Sequence, residues 1–89
     1  MQNFIVSIPR HCFTFKVQPG ILSSIEERPF TTITETITDE SGLYIKINFD
    51  AIWQGVEFAF SYGKDIQIIE PPEAIKEIKR KASEVVELY

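Results

Sequence analysis

From His11 to Val17 apolar and polar residues alternate. Phe13, Phe15 and Val17 point one way and Thr14 and Lys16 the other, which predicts a half-buried strand. Pro19-Gly20 breaks it. Ile21, Leu22 and Ile25 then recur at helical spacing until Pro29 ends a short helix. The next alternation, Thr31 to Thr38, sets Ile33 and Ile37 on one face and Thr32, Thr34, Thr36 and Thr38 on the other, with Glu35 on the apolar side as an edge strand tolerates. Asp39-Glu40-Ser41-Gly42 is a turn cluster, so this strand and the run that follows form a hairpin. In that run Leu43, Ile45, Ile47 and Phe49 face inward, and Tyr44, Lys46 and Asn48 face out.

Asp50 is placed to cap a helix by accepting from the free N–H groups of its first turn, and Ile52, Val56, Ala59 and Phe60 follow on one stripe that Trp53 widens. Nearly opposite, Ala51, Phe58 and Tyr62 form a second apolar edge, so this helix requires a neighbour on each side. Gly63 supplies the positive φ that ends it, and Lys64 suits the negative end of its dipole. A strand around Ile66 and Ile68 stops near Glu70, because Pro71 and Pro72 lack backbone donors. Pro72 fits the first turn of a last helix, Pro72 to Tyr89. Ile75, Ile78, Ala82, Val85 and Tyr89 make its stripe, while Glu77 with Lys81 and Arg80 with Glu84 are four-residue charge pairs on its wet side.

The order strand, helix, strand, strand, helix, strand, plus a terminal helix, predicts an α+β domain on the ferredoxin-like βαββαβ plan. Its antiparallel sheet carries the helices on one face, in keeping with the clean in/out alternation. Residues 11–89 form that single domain. Residues 1–10, with the apolar string Phe4-Ile5-Val6 and Ile8, are a linker or an extra strand.

Composition narrows the class without naming a reaction. With 89 residues, 44% of them hydrophobic and 25% charged, the chain suits one small globular domain and not disorder. A single cysteine, Cys12, excludes an intramolecular disulfide and a multi-cysteine metal cage, as a reduced cytoplasm permits. Apolar runs fall far short of the roughly 20 residues that a spanning helix needs, so a cytoplasmic protein with no membrane contact is expected. The formal net charge of −4 disfavours nonspecific attraction to phosphate backbones.

Candidate chemistry is correspondingly thin. His11 and Cys12 are adjacent on a strand and point to opposite faces, which suits neither a thiol nucleophile with its base nor a zinc site. No carboxylate pair has acid/base geometry that the spacing supports, and no phosphate-cradling glycine loop is present. An acylphosphatase-like reading lacks an arginine-bearing phosphate loop, since Arg10, Arg28 and Arg80 are scattered. No catalytic, metal-binding or cofactor-binding residue, and no cofactor, is therefore expected.

Several stretches in order resemble a known family. Phe13-Thr14-Phe15-Lys16-Val17, then Asp39-Glu40-Ser41-Gly42-Leu43-Tyr44-Ile45-Lys46-Ile47, then Trp53 through Ser61-Tyr62-Gly63, then Ile66-Gln67-Ile68-Ile69-Glu70-Pro71, and a last helix closing on Leu88-Tyr89, resemble the C-terminal extension, or WCX, domain of WYL-domain transcriptional regulators. The resemblance runs from about His11 to Tyr89 and rests on the order of degenerate motifs. It implies a bacterial regulator with an N-terminal DNA-binding winged helix-turn-helix, a middle WYL domain that senses a ligand or nucleic acid, and this module at the end. Neither the helix-turn-helix nor the Trp-Tyr-Leu motif occurs here, so no DNA-reading or sensing residue carries over. The implied role is dimer assembly or relay of an effector signal without catalysis, with a homodimer and the preceding WYL and helix-turn-helix domains as partners and no direct DNA binding by this chain. The alternative is a free-standing small-ligand-binding or oligomerisation module of the same fold.

Two surfaces are candidates for contact. Lys16 with Thr14 on the first strand, and Tyr44, Lys46 and Asn48 on the third, share the face away from the helices, where RNA-recognition sheets stack bases. The first strand offers no outward aromatic, which favours a solvated or domain-covered face over a ligand or nucleic-acid face. Phe58 and Tyr62, one turn apart, are candidates for a dimer or domain contact, against packing under the terminal helix.

Overall fold

The computed structural model describes residues 10–29 and 31–89; apart from Arg10, the expected linker or extra strand lies outside the described residues. The alternating runs are strands β1 (His11–Val17), β2 (Ile33–Asp39), β3 (Gly42–Phe49) and β4 (Ile66–Glu70). Between and after them lie helices α1 (Leu22–Glu26), α2 (Ile52–Ser61) and α3 (Pro72–Val86). The strands make one antiparallel sheet in the order β2-β3-β1-β4. The fold is thus α+β, with a four-stranded antiparallel sheet and three helices.

At the centre, Phe13 lies opposite Ile47 and Phe15 opposite Ile45. All four side chains are buried, as their alternation predicts. Val17, Ile66 and Ile68 extend this apolar layer, and Ile25 of α1, Val56, Phe58 and Ala59 of α2 and Ala74 of α3 close over it. Gly63 has φ 61° and ends α2 as expected, leading into a 3-10 turn, Gly63–Asp65, that the apolar pattern does not signal.

β2 departs from the predicted faces. Ile33 opposite Ile47 is inward, but the register shifts between Ile33 and Glu35, so Glu35 lies opposite Lys46 and Ile37 opposite Tyr44. A bulge of this kind reverses every side chain beyond it. Here the Thr34 hydroxyl donates to the Lys46 carbonyl at 3.1 Å, filling the disturbed part of the ladder. Glu35 and Ile37 therefore belong to the open face, and Thr36 and Thr38 to the helix side.

The middle helix departs too. Its N-terminal partner is Gln54, not Asp50: the Gln54 Oε1 accepts from the backbone N–H groups of Asp50 at 2.9 Å and Ala51 at 3.1 Å. Trp53 does not widen the buried stripe, because its side chain is 65% exposed. The middle of the buried face is Gly55. A Cβ built there would come within 2.3 Å of the Phe13 ring, so strand and helix touch without an intervening side chain. The stripes of Ile52 with Val56 and of Phe58 with Tyr62 are the two edges of this one broad face.

α3 starts at Pro72 as expected and ends at Val86 rather than Tyr89. Ala74, Ile75 and Ile78 bind it to the core. Arg80 pairs with Glu84 at 2.6 Å and with Glu77 at 2.9 Å. Lys81 leaves its expected partner Glu77 and crosses to Glu57 of α2 at 2.6 Å, lying over the Phe60 ring on the way.

Candidate interaction surfaces

The open sheet face brings together the residues that alternation placed there. Lys16 lies opposite Tyr44, Thr14 opposite Lys46 and Cys12 opposite exposed Asn48. The β2 bulge adds Glu35, whose carboxylate stands 3.6 Å from the Lys46 ammonium. Lys16 runs past Gly42 toward the hairpin turn, close enough that a Cβ on Gly42 would meet its Cε at 2.8 Å. Its charge helps to hold the Asp39 carboxylate in the ionised form.

That carboxylate organises the turn. Asp39 Oδ1 accepts from the Ser41 hydroxyl at 2.6 Å and from the backbone N–H groups of Ser41 and Gly42 at 2.8 and 3.2 Å. The Ser41 side chain, then its backbone N–H, depress the Asp39 pKa below the usual carboxylate value. Because the Ser41 proton goes to Asp39, the Tyr44 hydroxyl 2.7 Å away donates to Ser41. Tyr44 is thus tied to the turn at its tip. On the β4 side, Glu70 sits opposite Thr14. Two lysines accordingly share the face with Glu35, Asp39 and Glu70.

Phe58 and Tyr62 pack within the chain. Phe58 is buried against Phe15 and Phe49, with ring centroids 5.4 and 5.6 Å away, and Tyr62 stacks edge-on against Phe58 at 5.4 Å. Their roof is Arg28, with its guanidinium 5.1 Å from the Phe58 ring and 5.6 Å from the Tyr62 ring. Phe58 is buried and Tyr62 half-buried, and Arg28 brings the segment after α1 over the pair.

The outward aromatic is Trp53, which helical spacing sets beside the apolar stripe. Its indole stands at the rim of a 340 Å³ cleft between α2 and α3. Ile52 and Val56 give that cleft apolar walls, and Glu57, Lys81 and Arg80 ring it. A clue lay in the helical wheel: at about 100° per residue, Trp53 falls far from Gly55, but a glycine carries no hydrophobic weight to mark the true centre.

The WCX domain family model matches residues 9–86. The chain belongs to the WCX domain family. The matched span includes every strand and helix described above. Comparison with curated proteins and with solved structures gave no match. The family sets this WCX domain in the context of WYL-type transcription regulation, as a C-terminal domain and not as an enzyme class.

The residues weighed for catalysis in the WCX domain stand apart. Cys12 is an exposed free thiol on β1, and His11 beside it belongs to the other face. Arg28 is engaged with aromatic rings and Arg80 with two glutamates, while Arg10 is exposed at the start of β1. Among the described residues no group of three or more His, Cys, Asp or Glu is placed to hold a metal ion, and no helix is long and apolar enough to cross a membrane.

Proposed function

We propose that this WCX domain is a ferredoxin-like accessory module at the C-terminal end of a bacterial WYL-type regulator, and that it acts in dimer assembly through the Trp53 surface, without catalysis of its own. The strand order β2-β3-β1-β4, with its β-α-β-β-α-β succession, supports the ferredoxin-like reading. The family match supports the regulator context. One observation carries the assembly role: the indole of Trp53 is 65% exposed beside a cleft whose walls are Ile52 and Val56. Covering such an indole releases on the order of 3 kcal/mol, and tryptophan is among the residues that dominate contact energies.

Charge around the cleft fits a twofold contact. Glu57, Glu77 and Glu84 are paired within the chain with Lys81 and Arg80, so the patch carries both signs and no strong field that would repel its own copy. Relay of an effector signal would use the same surface, with a neighbouring domain of the parent protein covering Trp53. Sedimentation equilibrium of the wild type and of Trp53→Gln tests the assembly role. The wild type should dimerise and the variant should remain a folded monomer; equal masses for both at every concentration would refute the role assigned to Trp53.

A further inference from the structure

A second cleft lies on the β4 side of α3. Its 590 Å³ are walled by Ile66 and Ile68 of β4 and by Ile75 and Ile78 of α3, and Lys64 and Lys79 stand at its rim. No lining residue is acidic, although the chain as a whole is. Among the described residues neither Lys64 nor Lys79 makes an ion pair.

The backbone beside this cleft is equally specific. β4 is an outer strand whose neighbour in the sheet is β1. The Gln18 N–H donates to the Asp65 carbonyl at 3.0 Å, which makes those two residues a hydrogen-bonded pair. Such pairs alternate along an antiparallel ladder, so Lys16 and Gln67 form the next one. Ile66 and Ile68 fall between, and their N–H and C=O groups point away from β1 toward the outer edge. At the opposite edge β2 carries a bulge with Glu35 and Asp39 pointing outward, features that discourage pairing, whereas the register shift of β4 falls beyond Ile68, between the partners Phe15 and Thr14, and leaves Ile66 to Ile68 regular. β4 has no carboxylate before Glu70.

We infer that the β4 edge and its cleft form a docking site for an extended acidic segment of another protein, which adds as a strand to β4. Residues of that segment opposite Ile66 and Ile68 exchange backbone hydrogen bonds with them, and their side chains enter the cleft against Ile75 and Ile78. Apolar residues at two alternate positions satisfy the walls. Carboxylates flanking them meet Lys64 and Lys79. The charge pattern selects this occupant over the chain's own residues 1–9, which contain no acidic residue. The inference does not depend on the role proposed for Trp53, which belongs to the other cleft.

The test is a titration of the full chain, followed by amide NMR, with a short capped peptide bearing two valines at alternate central positions, threonine between them and two glutamates at each end. Shifts should centre on Ile66, Ile68 and Lys79. N-methylation of the two valines removes the donors aimed at β4 and should weaken binding by at least about tenfold, whereas N-methylation of the threonine should change it by less than about threefold. Lys64→Glu with Lys79→Glu should also weaken binding. No binding at about 1 mM peptide, equal effects of the two methylations, or shifts centred on Trp53 would overturn the inference. So would peptide-free, concentration-dependent shifts at Ile66 and Ile68, which mean a second copy on the edge, or a gain of more than about tenfold on deleting residues 1–9, which means the chain's own segment lies there.

Discussion

The Phe13 ring lies directly on Gly55, where an added Cβ would sit 2.3 Å from its Cε2 and Cζ atoms. The ring cannot yield easily, since Phe15 stacks beside it at 5.5 Å and Phe49 meets it edge-on at 5.2 Å. Gly55→Ala gains up to about 1 kcal/mol of helix propensity but overpacks this contact at a cost of about 1 to 3 kcal/mol. We expect net destabilisation, read as a lower melting temperature, with Phe13→Leu restoring part of it in the double variant. A melting temperature raised by Gly55→Ala alone would contradict the contact.

Arg28 tests the placement of the aromatic pair. Its guanidinium spans the rings of Phe58 and Tyr62, and cation–π contacts at exposed sites contribute about 0.5 to 1 kcal/mol. Arg28→Ala should lower the unfolding free energy obtained from urea titration by that amount, with a correspondingly lower midpoint, and Arg28→Lys, without the planar group, should recover only part. An unchanged midpoint in the alanine variant would show that the roof adds nothing.

The hairpin turn makes a pH prediction. The Ser41 hydroxyl and the backbone N–H groups of the turn hold the Asp39 pKa below its unfolded value. Its contribution to stability is therefore complete above the unfolded pKa and is lost as pH falls through the depressed folded value. Carboxyl-carbon NMR should find Asp39 titrating below the ordinary range, and Ser41→Ala should move the midpoint upward. A midpoint that Ser41→Ala leaves in place would remove the cause assigned here.

Lys16, Tyr44, Lys46 and Asn48 share their face with Glu35, Asp39 and Glu70, which leaves it without a positive field for phosphates. We expect a labelled single-stranded oligonucleotide to show no saturation at about 1 mM even in dilute salt, whereas Glu35→Lys with Glu70→Lys should create measurable, salt-sensitive binding. Tight binding by the wild type, abolished by Lys16→Glu with Lys46→Glu, would reverse this reading.

What was legible in the residues followed from how much each local signal depends on distant contacts. The pairing of β1 with β3 could be read because Phe13, Phe15 and Val17 on one strand and Leu43, Ile45 and Ile47 on the other repeat at a strict period of two, and the observed register sets them opposite one another. The reversal in β2 could not, because it is made by one extra residue and by a hydrogen bond from its own Thr34 hydroxyl to the Lys46 carbonyl of the neighbouring strand. In α2 the apolar edges were visible but their shared centre is a glycine, so one wide face read as two opposed stripes. Lys81 had an available partner on its own helix and another on α2, and only packing brings Glu57 to 2.6 Å. The carboxylates of the open face were illegible for the same reason as the bulge.

Trp53 is the chain's single tryptophan, so its emission reports one place on the surface. The measurement that bears most directly on the proposed role is that emission, followed as the full chain is concentrated from the monomeric range. Assembly through the α2–α3 cleft predicts a progressive shift to shorter wavelength that coincides with doubling of mass; doubling of mass with the emission of a water-exposed indole unchanged, or no doubling at all, would contradict it.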